Sequence, residues 1–168
     1  MTGLRLPEVS QHRLALHLRL IDNLAREVKP VGQMLKERWA RDTRVLRLLP
    51  IPGIRLVTSA TVVAEIWDVP RFPSPRRLRS WAGLTPREYS SGEHARRGHI
   101  SKQGSRWLRW VLVEAVATHA LREAQLRELY LRVRGRSHGR DQIARVAVAH
   151  RLLTLCYYAL RDEAGCRA

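Results

Sequence analysis

Two adjacent serines lie in a segment whose composition suits phosphate chemistry. Ser90 and Ser91 offer hydroxyl nucleophiles, and Gly92, which follows them, lets main-chain amides approach a phosphate. The cations that could neutralise that phosphate are Arg96, Arg97, Lys102 and Arg106. These residue types suit phosphoryl transfer to a serine. The plainer alternative, ordinary loop serines, is favoured by the residues alone, because His94 and His99 are more typical of phosphate or solvent contacts than of a general base.

The net charge of the chain indicates a polyanionic partner. The 168 residues carry a formal net charge of +16 and a pI near 11.5. A field of that sign attracts DNA, RNA or an anionic membrane surface, and clustered arginines favour nucleic acid among these. DNA is therefore the partner that we expect first.

Cysteine spacing and hydropathy argue against several other classes of protein. Cys156 and Cys166 form no C-x-x-C pair, so the sequence predicts neither a zinc site nor a disulfide framework, and we assign no metal ligand. The first residues lack the apolar core of a signal peptide, and no uninterrupted apolar run is long enough to span a bilayer. We expect a cytoplasmic protein with no membrane partner.

The N-terminal segment, residues 1–47, has the apolar spacing of a coiled coil. Five residues recur at intervals of 4, 3, 4 and 3 and are called the seam: Leu14, Leu18, Ile21, Ala25 and Val28. This spacing favours a long helix that pairs with a second copy of the chain. An amphipathic helix that packs on the chain's own core remains the alternative, because two heptads are too few for a coiled-coil assignment. Pro30 is expected to kink or restart the helix.

Residues 48–168 are predicted to form a compact helical domain that begins with a helix-hairpin-helix element. Pro50 and Pro52 end one helix, Gly53 permits a tight turn, and an apolar helix follows. Loop amides and the nearby Arg55 would suit a DNA phosphate. A plain turn between two helices is the alternative.

The later segments are helical in their spacing, with one exception. Ser74 and Pro75 predict the start of a short helix whose exposed face is Arg76, Arg77 and Arg79. Two further helices have predicted apolar faces, at Leu108, Val111, Leu112, Ala115 and Val116, and at Ile143, Val146, Ala147, His150, Leu153 and Tyr157. Residues 84–100 are predicted to be a long irregular loop, basic and rich in Ser and Gly. The predicted fold class is all-α.

Several short motifs occur in a characteristic order between Leu48 and Ala117. They are P-G-I, R-F, A-G-L-x-P, P-x-x-x-x-S-G and K-x-G-x-x-x-L-R. In this order and spacing they resemble the C-terminal domain of the DEDD-type insertion-sequence transposases, the family that includes the Piv-type DNA invertases and the bridge-RNA-guided recombinases. A coiled coil precedes this domain in the family, as the seam predicts here.

The resemblance implies a recombinase in which a serine attacks a DNA phosphodiester and holds the broken strand as a phosphoserine. The P-x-x-x-x-S-G motif assigns Ser91 as the nucleophile, with Ser90 as the alternative. In the family an N-terminal RuvC-like domain binds Mg²⁺ and completes the site. No strand-rich segment with spaced acidic residues is evident here, so we expect the chain to be inactive alone and to need that domain in trans.

The expected nucleic-acid contacts combine the basic residues with the glycines of these motifs. They are Gly53, Arg55, Arg76, Arg77, Arg79, Gly92, Arg96, Arg97, Lys102, Gly104, Arg106 and Arg109. Arg55 departs from the family pattern, which usually has a second glycine at that position. Participation of a guide RNA stays open. Two other functions also stay open: a non-catalytic nucleic-acid-binding module, and a helical protein that dimerises through the seam.

Overall fold

The structure is a computed structural model that describes the main chain over residues 7–91 and 94–164 and the side chains over 7–86 and 99–162. Within these ranges the elements are α1 (Glu8–Trp39), α2 (Thr43–Leu48), α3 (Leu56–Ile66), α4 (Pro75–Trp81), β1 (Pro86–Ser91), β2 (His94–Ile100), α5 (Arg106–Thr118), a 3₁₀ turn (Ala120–Arg122), α6 (Ala124–Arg136) and α7 (Asp141–Ala164). Helices dominate this part of the chain, which confirms the predicted all-α class.

The prediction of an irregular loop over residues 84–100 is wrong. β1 and β2 pair as an antiparallel hairpin, with an irregularity in register between Pro86 and Glu88. Pairing provides partners for main-chain N–H and C=O groups that a loop would leave to solvent. The segment lacks the apolar alternation that normally identifies a strand, which is why its composition indicated a loop.

The chain divides into two compact units, Met1–Arg41 and Asp42–Ala168. The first unit contains α1, a single helix of 32 residues that continues through Pro30, so the predicted restart is wrong and the alternative, a kink, stays a prediction. None of its residues is buried. The seam residues Leu14, Leu18, Ile21 and Val28 are between 49% and 65% exposed.

The second unit is built around α7. This helix packs against α2, α4, α5 and α6, and its buried residues include Ala144, Val148, Ala149, Leu152, Leu153 and Cys156. Burial raises the pKa of the Cys156 thiol to about 12, so this sulfur is held as an unreactive thiol. By length and composition alone, Asp141–Asp162 would be long and apolar enough to cross a membrane, but half of that stretch is buried inside the unit. Its apolar character is explained by its place in the core.

Side-chain caps mark the beginning of three helices in the second unit. Asp42 accepts a hydrogen bond from the amide of Arg44 at the start of α2, at 2.9 Å. Ser105 accepts one from the amide of Leu108 at the start of α5, at 3.0 Å. The predicted cap at Ser74, with Pro75 in the first turn of α4, is confirmed. These caps satisfy amides that have no partner within their own helix.

The turn between α2 and α3 is fixed by contact with the 3₁₀ turn. Gly53 has φ +85°, and a Cβ placed on it would lie 2.6 Å from Cβ of Ala120. A larger residue would therefore be strained in its backbone and would also collide with Ala120. Arg55 is exposed at the first residue before α3. The helix-hairpin-helix assignment of this element stays a prediction.

Candidate nucleic-acid interface

The two candidate serines lie at the turn end of the β1–β2 hairpin. In the main-chain register Ser91 pairs with His94, and Ser90 pairs with Ala95. Gly92 lies outside the described residues, as do the side chains of Ser90, Ser91, Arg96 and Arg97. The chemical roles of these five residues therefore stay predictions, and the structure supplies the strand positions of the four that lie in β1 and β2.

Main-chain hydrogen bonds join the residues after the other end of the hairpin to the segment that follows α4. The amide of Ser101 donates to the carbonyl of Thr85 at 2.9 Å, and the amide of Lys102 donates to the carbonyl of Gly83 at 3.2 Å. Lys102 has φ +55°, which is uncommon for a residue with a side chain. The chain thus turns sharply between β2 and α5 while it stays bonded to the segment after α4.

Two glycines allow these segments to approach closely. A Cβ on Gly83, at φ +68°, would lie 2.0 Å from the carbonyl oxygen of Gln103, and a Cβ on Gly104, at φ +82°, would lie 1.8 Å from the carbonyl oxygen of Trp81. Neither distance is compatible with a side chain, so both positions need glycine. The glycines of the A-G-L-x-P and K-x-G motifs therefore pack residues 81–83 against residues 103–104. This contact is called the glycine clamp.

Arg109 is directed at the glycine clamp. Its Nη1 donates hydrogen bonds to the carbonyl oxygens of Ala82 and Gln103 at 3.0 Å and of Gly104 at 3.1 Å. A guanidinium on carbonyl oxygens forms strong, charge-assisted bonds. Its described contacts give Arg109 a structural role in tying α5 to both sides of the clamp, and its predicted contact with nucleic acid stays untested.

Five of the cationic residues predicted to contact nucleic acid are accessible to a partner. Arg55, Arg76, Arg77, Lys102 and Arg106 are all exposed to solvent. Arg76 and Arg77 are on α4, which precedes the hairpin, while Lys102 and Arg106 follow it. Exposed cations therefore precede and follow the hairpin in the chain, and each is accessible to a phosphate.

Arg79 does not share the exposed face predicted for α4. It is partly buried, and its Nη1 donates to Oγ1 of Thr154 in α7 at 3.1 Å. The residue lies one turn after Pro75 in a helix that packs against α7, and its long side chain reaches Thr154 there. Burial lowers the pKa of its guanidinium.

The charge of Arg79 also affects a histidine on α7. Burial, followed by the positive charge of Arg79, lowers the pKa of His150 to about 4. His150 is therefore neutral at physiological pH. A protonated imidazole here would lie in a poorly solvated place beside a like charge.

The comparisons with known proteins decide the family. A family model described as "Transposase IS116/IS110/IS902 family" matches residues 45–131, just over half of the chain. The chain belongs to this transposase family. The matched residues extend from α2 into α6, so they contain the hairpin, the glycine clamp and all of α5.

Individual relatives agree with this membership. A probable family 20 transposase of Pseudomonas aeruginosa is 37% identical over 101 residues, 54% of this chain and 30% of the relative. An uncharacterized protein of insertion element IS116 from Streptomyces clavuligerus is 30% identical over 156 residues, 93% of this chain and 37% of the relative. The pilin gene-inverting protein of Moraxella bovis is 31% identical over 122 residues, 71% of this chain and 38% of the relative. The chain spans about a third of the length of these relatives.

The part of this transposase-family chain that the structure describes offers no metal centre. Within it, no three His, Cys, Asp or Glu residues lie close enough together to hold a metal ion. Among the described side chains, the carboxylates that Mg²⁺ prefers are therefore not gathered into a binding site.

Two exposed tryptophans on α5 were not predicted from the sequence as functional residues. Trp107 and Trp110 are 67% and 57% exposed, and their ring centroids are 6.1 Å apart in an edge-to-face arrangement. The predicted apolar face of this helix is buried as expected, from Leu108 to Val116. Both tryptophans fall outside that face, and large aromatic residues off a buried stripe were the signal that could have identified them.

Proposed function

We propose that this chain is the DNA-binding, serine-bearing part of a transposase of the DEDD type, with Ser91 as the nucleophile and Ser90 as the alternative. The observation that carries the proposal is the position of these serines at the turn end of a hairpin that the glycine clamp fixes at its other end. This hairpin lies within the residues that match the transposase family. A hairpin held at its base presents its tip to a large substrate such as duplex DNA.

In the proposed reaction the Ser91 hydroxyl oxygen forms a bond to phosphorus in a DNA phosphodiester. The bond from phosphorus to one strand oxygen breaks, that oxygen leaves as a DNA hydroxyl, and the other strand end stays attached as a phosphoserine. The serine proton passes to a general base, and cations stabilise the charge that develops on the phosphoryl oxygens. Arg96 and Arg97 on β2, which pair in register with Tyr89 and Glu88, are candidates for that cationic role.

The described residues do not fit a Mg²⁺ site, so no step is assigned to a metal held by this chain. We propose that a separate RuvC-like domain supplies the metal and its carboxylates. On this proposal the isolated chain binds DNA but does not cleave it.

Phosphate contacts are the basis of the proposed DNA binding. The exposed cations Arg55, Arg76, Arg77, Lys102 and Arg106 and the net charge of +16 support it. The same cations also suit a guide RNA. Competition between duplex DNA and a structured RNA of equal charge would distinguish the two partners by affinity.

A covalent adduct with DNA is the direct test of the proposed chemistry. The chain is mixed with a RuvC-like domain of the same insertion element, Mg²⁺ and element DNA, and the products are separated in SDS. We expect an adduct that mass spectrometry assigns to Ser91 and that Ser91→Ala abolishes. DNA affinity should stay within a few-fold in that variant, because a hydroxyl contributes about one neutral hydrogen bond. Loss of the adduct in Ser90→Ala alone would reassign the nucleophile to Ser90, and normal adduct formation in both variants would refute the serine mechanism.

A non-catalytic nucleic-acid-binding module is the second candidate function. The exposed cations Arg55, Arg76, Arg77, Lys102 and Arg106 support it without any serine chemistry. It predicts the same salt-dependent DNA binding, with no adduct when the RuvC-like domain and Mg²⁺ are supplied.

A further inference from the structure

Two neighbouring tryptophans lie exposed on the solvent side of α5. Trp107 and Trp110 are 67% and 57% exposed, and their ring planes meet at 87°. The buried side of the same helix already holds Leu108, Val111 and Leu112. An exposed indole contributes little to stability, yet its broad face is well suited to contact with another flat ring. The pair is called the tryptophan platform.

The charges on the N-terminal side of the tryptophan platform are positive. Arg106 directly precedes Trp107 and is exposed, and Lys102 lies exposed in the turn that leads into α5. The only acidic residue of α5 is Glu114, about one turn beyond Trp110 and away from Lys102. A partner for this surface therefore combines flat aromatic groups with negative charge. Unpaired nucleotides have both, since each base has a π-face and each phosphate a charge.

The glycine clamp links the helix that carries the platform to the base of the hairpin. Arg109 lies between the two tryptophans in sequence and holds the glycine clamp through the carbonyls of Ala82, Gln103 and Gly104. The clamp fixes the base of the hairpin and the start of α5 in one contact. The platform and the base of the hairpin are therefore joined through the same contact.

We propose that the tryptophan platform binds unpaired bases of single-stranded DNA by stacking, on the helix that the glycine clamp joins to the base of the hairpin. This inference rests on the proposed function, which makes DNA the substrate. Bases inside a duplex are already stacked on their neighbours and cannot reach an indole face, so the platform favours single-stranded over double-stranded DNA. Stacking is tolerant of sequence, so the preference extends to all four bases.

Two pairs of substitutions separate stacking from a general apolar contact. The Trp107→Leu/Trp110→Leu variant keeps apolar side chains but removes the rings, whereas the Trp107→Phe/Trp110→Phe variant keeps aromatic faces. Both tryptophans are exposed, so we expect both variants to have the far-UV circular dichroism and melting temperature of the unsubstituted chain.

The affinity of each chain is measured by fluorescence anisotropy with a labelled oligothymidine and with a duplex of equal charge. The Leu variant should bind oligothymidine about tenfold more weakly, while its duplex affinity stays within about twofold. The Phe variant should stay within about threefold on both ligands. Intrinsic tryptophan fluorescence of the unsubstituted chain should be quenched by oligothymidine, and this quenching should be largely lost in the Leu variant.

Three results would overturn the proposal. Unchanged oligothymidine binding by the Leu variant would exclude stacking, and a change in its oligomeric state by light scattering would reassign the platform to a protein interface. Dependence on the tryptophans with oligouridine but not with oligothymidine would reassign it to RNA. Failure of the unsubstituted chain to bind any of these ligands would instead refute the proposed function as a DNA-binding part of a transposase.

Discussion

Gly104 lies so close to the main chain of Trp81 that a Cβ on it would be 1.8 Å from the Trp81 carbonyl oxygen. We therefore expect Gly104→Ala to lower the free energy of unfolding by about 2–4 kcal/mol, from the collision together with the strain of an alanine at φ +82°. Urea unfolding followed by circular dichroism measures this change. A loss below about 1 kcal/mol would show that the clamp opens easily.

Two other glycines are matched controls for this effect. Gly139 has φ +77° and no atom within 4 Å of a built Cβ. Gly139→Ala should therefore lower the free energy of unfolding by about 1–2 kcal/mol, from backbone strain alone. Gly135 lies inside α6 and is also in open space, so Gly135→Ala should stabilise the chain by about 0.5–1 kcal/mol through helix propensity. The loss of unfolding free energy in Gly104→Ala, minus that in Gly139→Ala, is the contribution of the collision with the Trp81 carbonyl oxygen.

Two arginines of α5, Arg106 and Arg109, should differ in their contribution to stability. Arg109→Lys should lower the free energy of unfolding by about 1–3 kcal/mol, because all three bonds come from Nη1 and the shorter lysine side chain does not reach that position. Arg106→Ala should leave stability within about 0.5 kcal/mol, because the side chain is exposed. The opposite order of effects in urea unfolding would contradict the structural role of Arg109.

DNA binding by the chain should depend steeply on salt. With about 5–8 phosphates neutralised, the logarithm of the association constant should fall against the logarithm of salt concentration with a slope of about −4 to −7. Arg106→Ala should make this slope shallower by about 1, the value for one lost phosphate contact. Arg109→Lys should leave the slope unchanged because the charge is kept. Titrations at several salt concentrations give both values, and a salt-independent affinity would exclude phosphate contacts as the basis of binding.

The helices could be predicted from sequence wherever one side of the helix is apolar and the other polar. The buried residues of α5 and the Ser74–Pro75 start of α4 follow from spacing and cap chemistry. In α7 the predicted face included Ile143, which is 45% exposed, whereas the buried side includes Ala144 and Val148. A central helix is apolar around much of its circumference, so its periodicity does not identify one face.

The site was harder to predict because its geometry comes from contacts between distant segments. The glycines at 83 and 104 belong to motifs that the sequence shows clearly, but their approach to Gln103 and Trp81 depends on how α4 and α5 pack. The same packing turns Arg79 toward Thr154, although α4 as an isolated helix would expose it. Local spacing identifies which residues are special, and only the tertiary contacts show whether they bind a ligand or hold the fold.

The neutral His150 should make the stability of the second unit dependent on pH. Its pKa is lowered to about 4 in the folded chain against 6.5 for an ordinary histidine, so the unfolded chain binds more protons between these values. Stability is therefore full above about pH 6.5 and falls as the pH drops toward 4. The loss should be about 1–2 kcal/mol, less than the full pKa difference would give, because His150 is only partly buried and solvent screens its charge.

The variant His150→Gln isolates this contribution from that of the carboxylates. It removes the titrating group, so its free energy of unfolding should vary less between pH 7 and pH 4 than that of the unsubstituted chain. Urea unfolding at several pH values measures the difference. Identical pH profiles for the two proteins would mean that the pKa of His150 is the same in the folded and unfolded chains.

The seam on α1 should mediate self-association of the chain. Leu18 is 52% exposed within the chain, and we propose that a second copy covers it. Leu18→Asp places a charge in that seam and should convert a dimer to a monomer, as measured by light scattering at tens of micromolar, with no loss of helix content. Leu16 is a matched control, since it is 46% exposed on the same helix but lies outside the seam spacing, and Leu16→Asp should remain dimeric. A monomeric unsubstituted chain, or equal effects of the two substitutions, would contradict pairing through the seam.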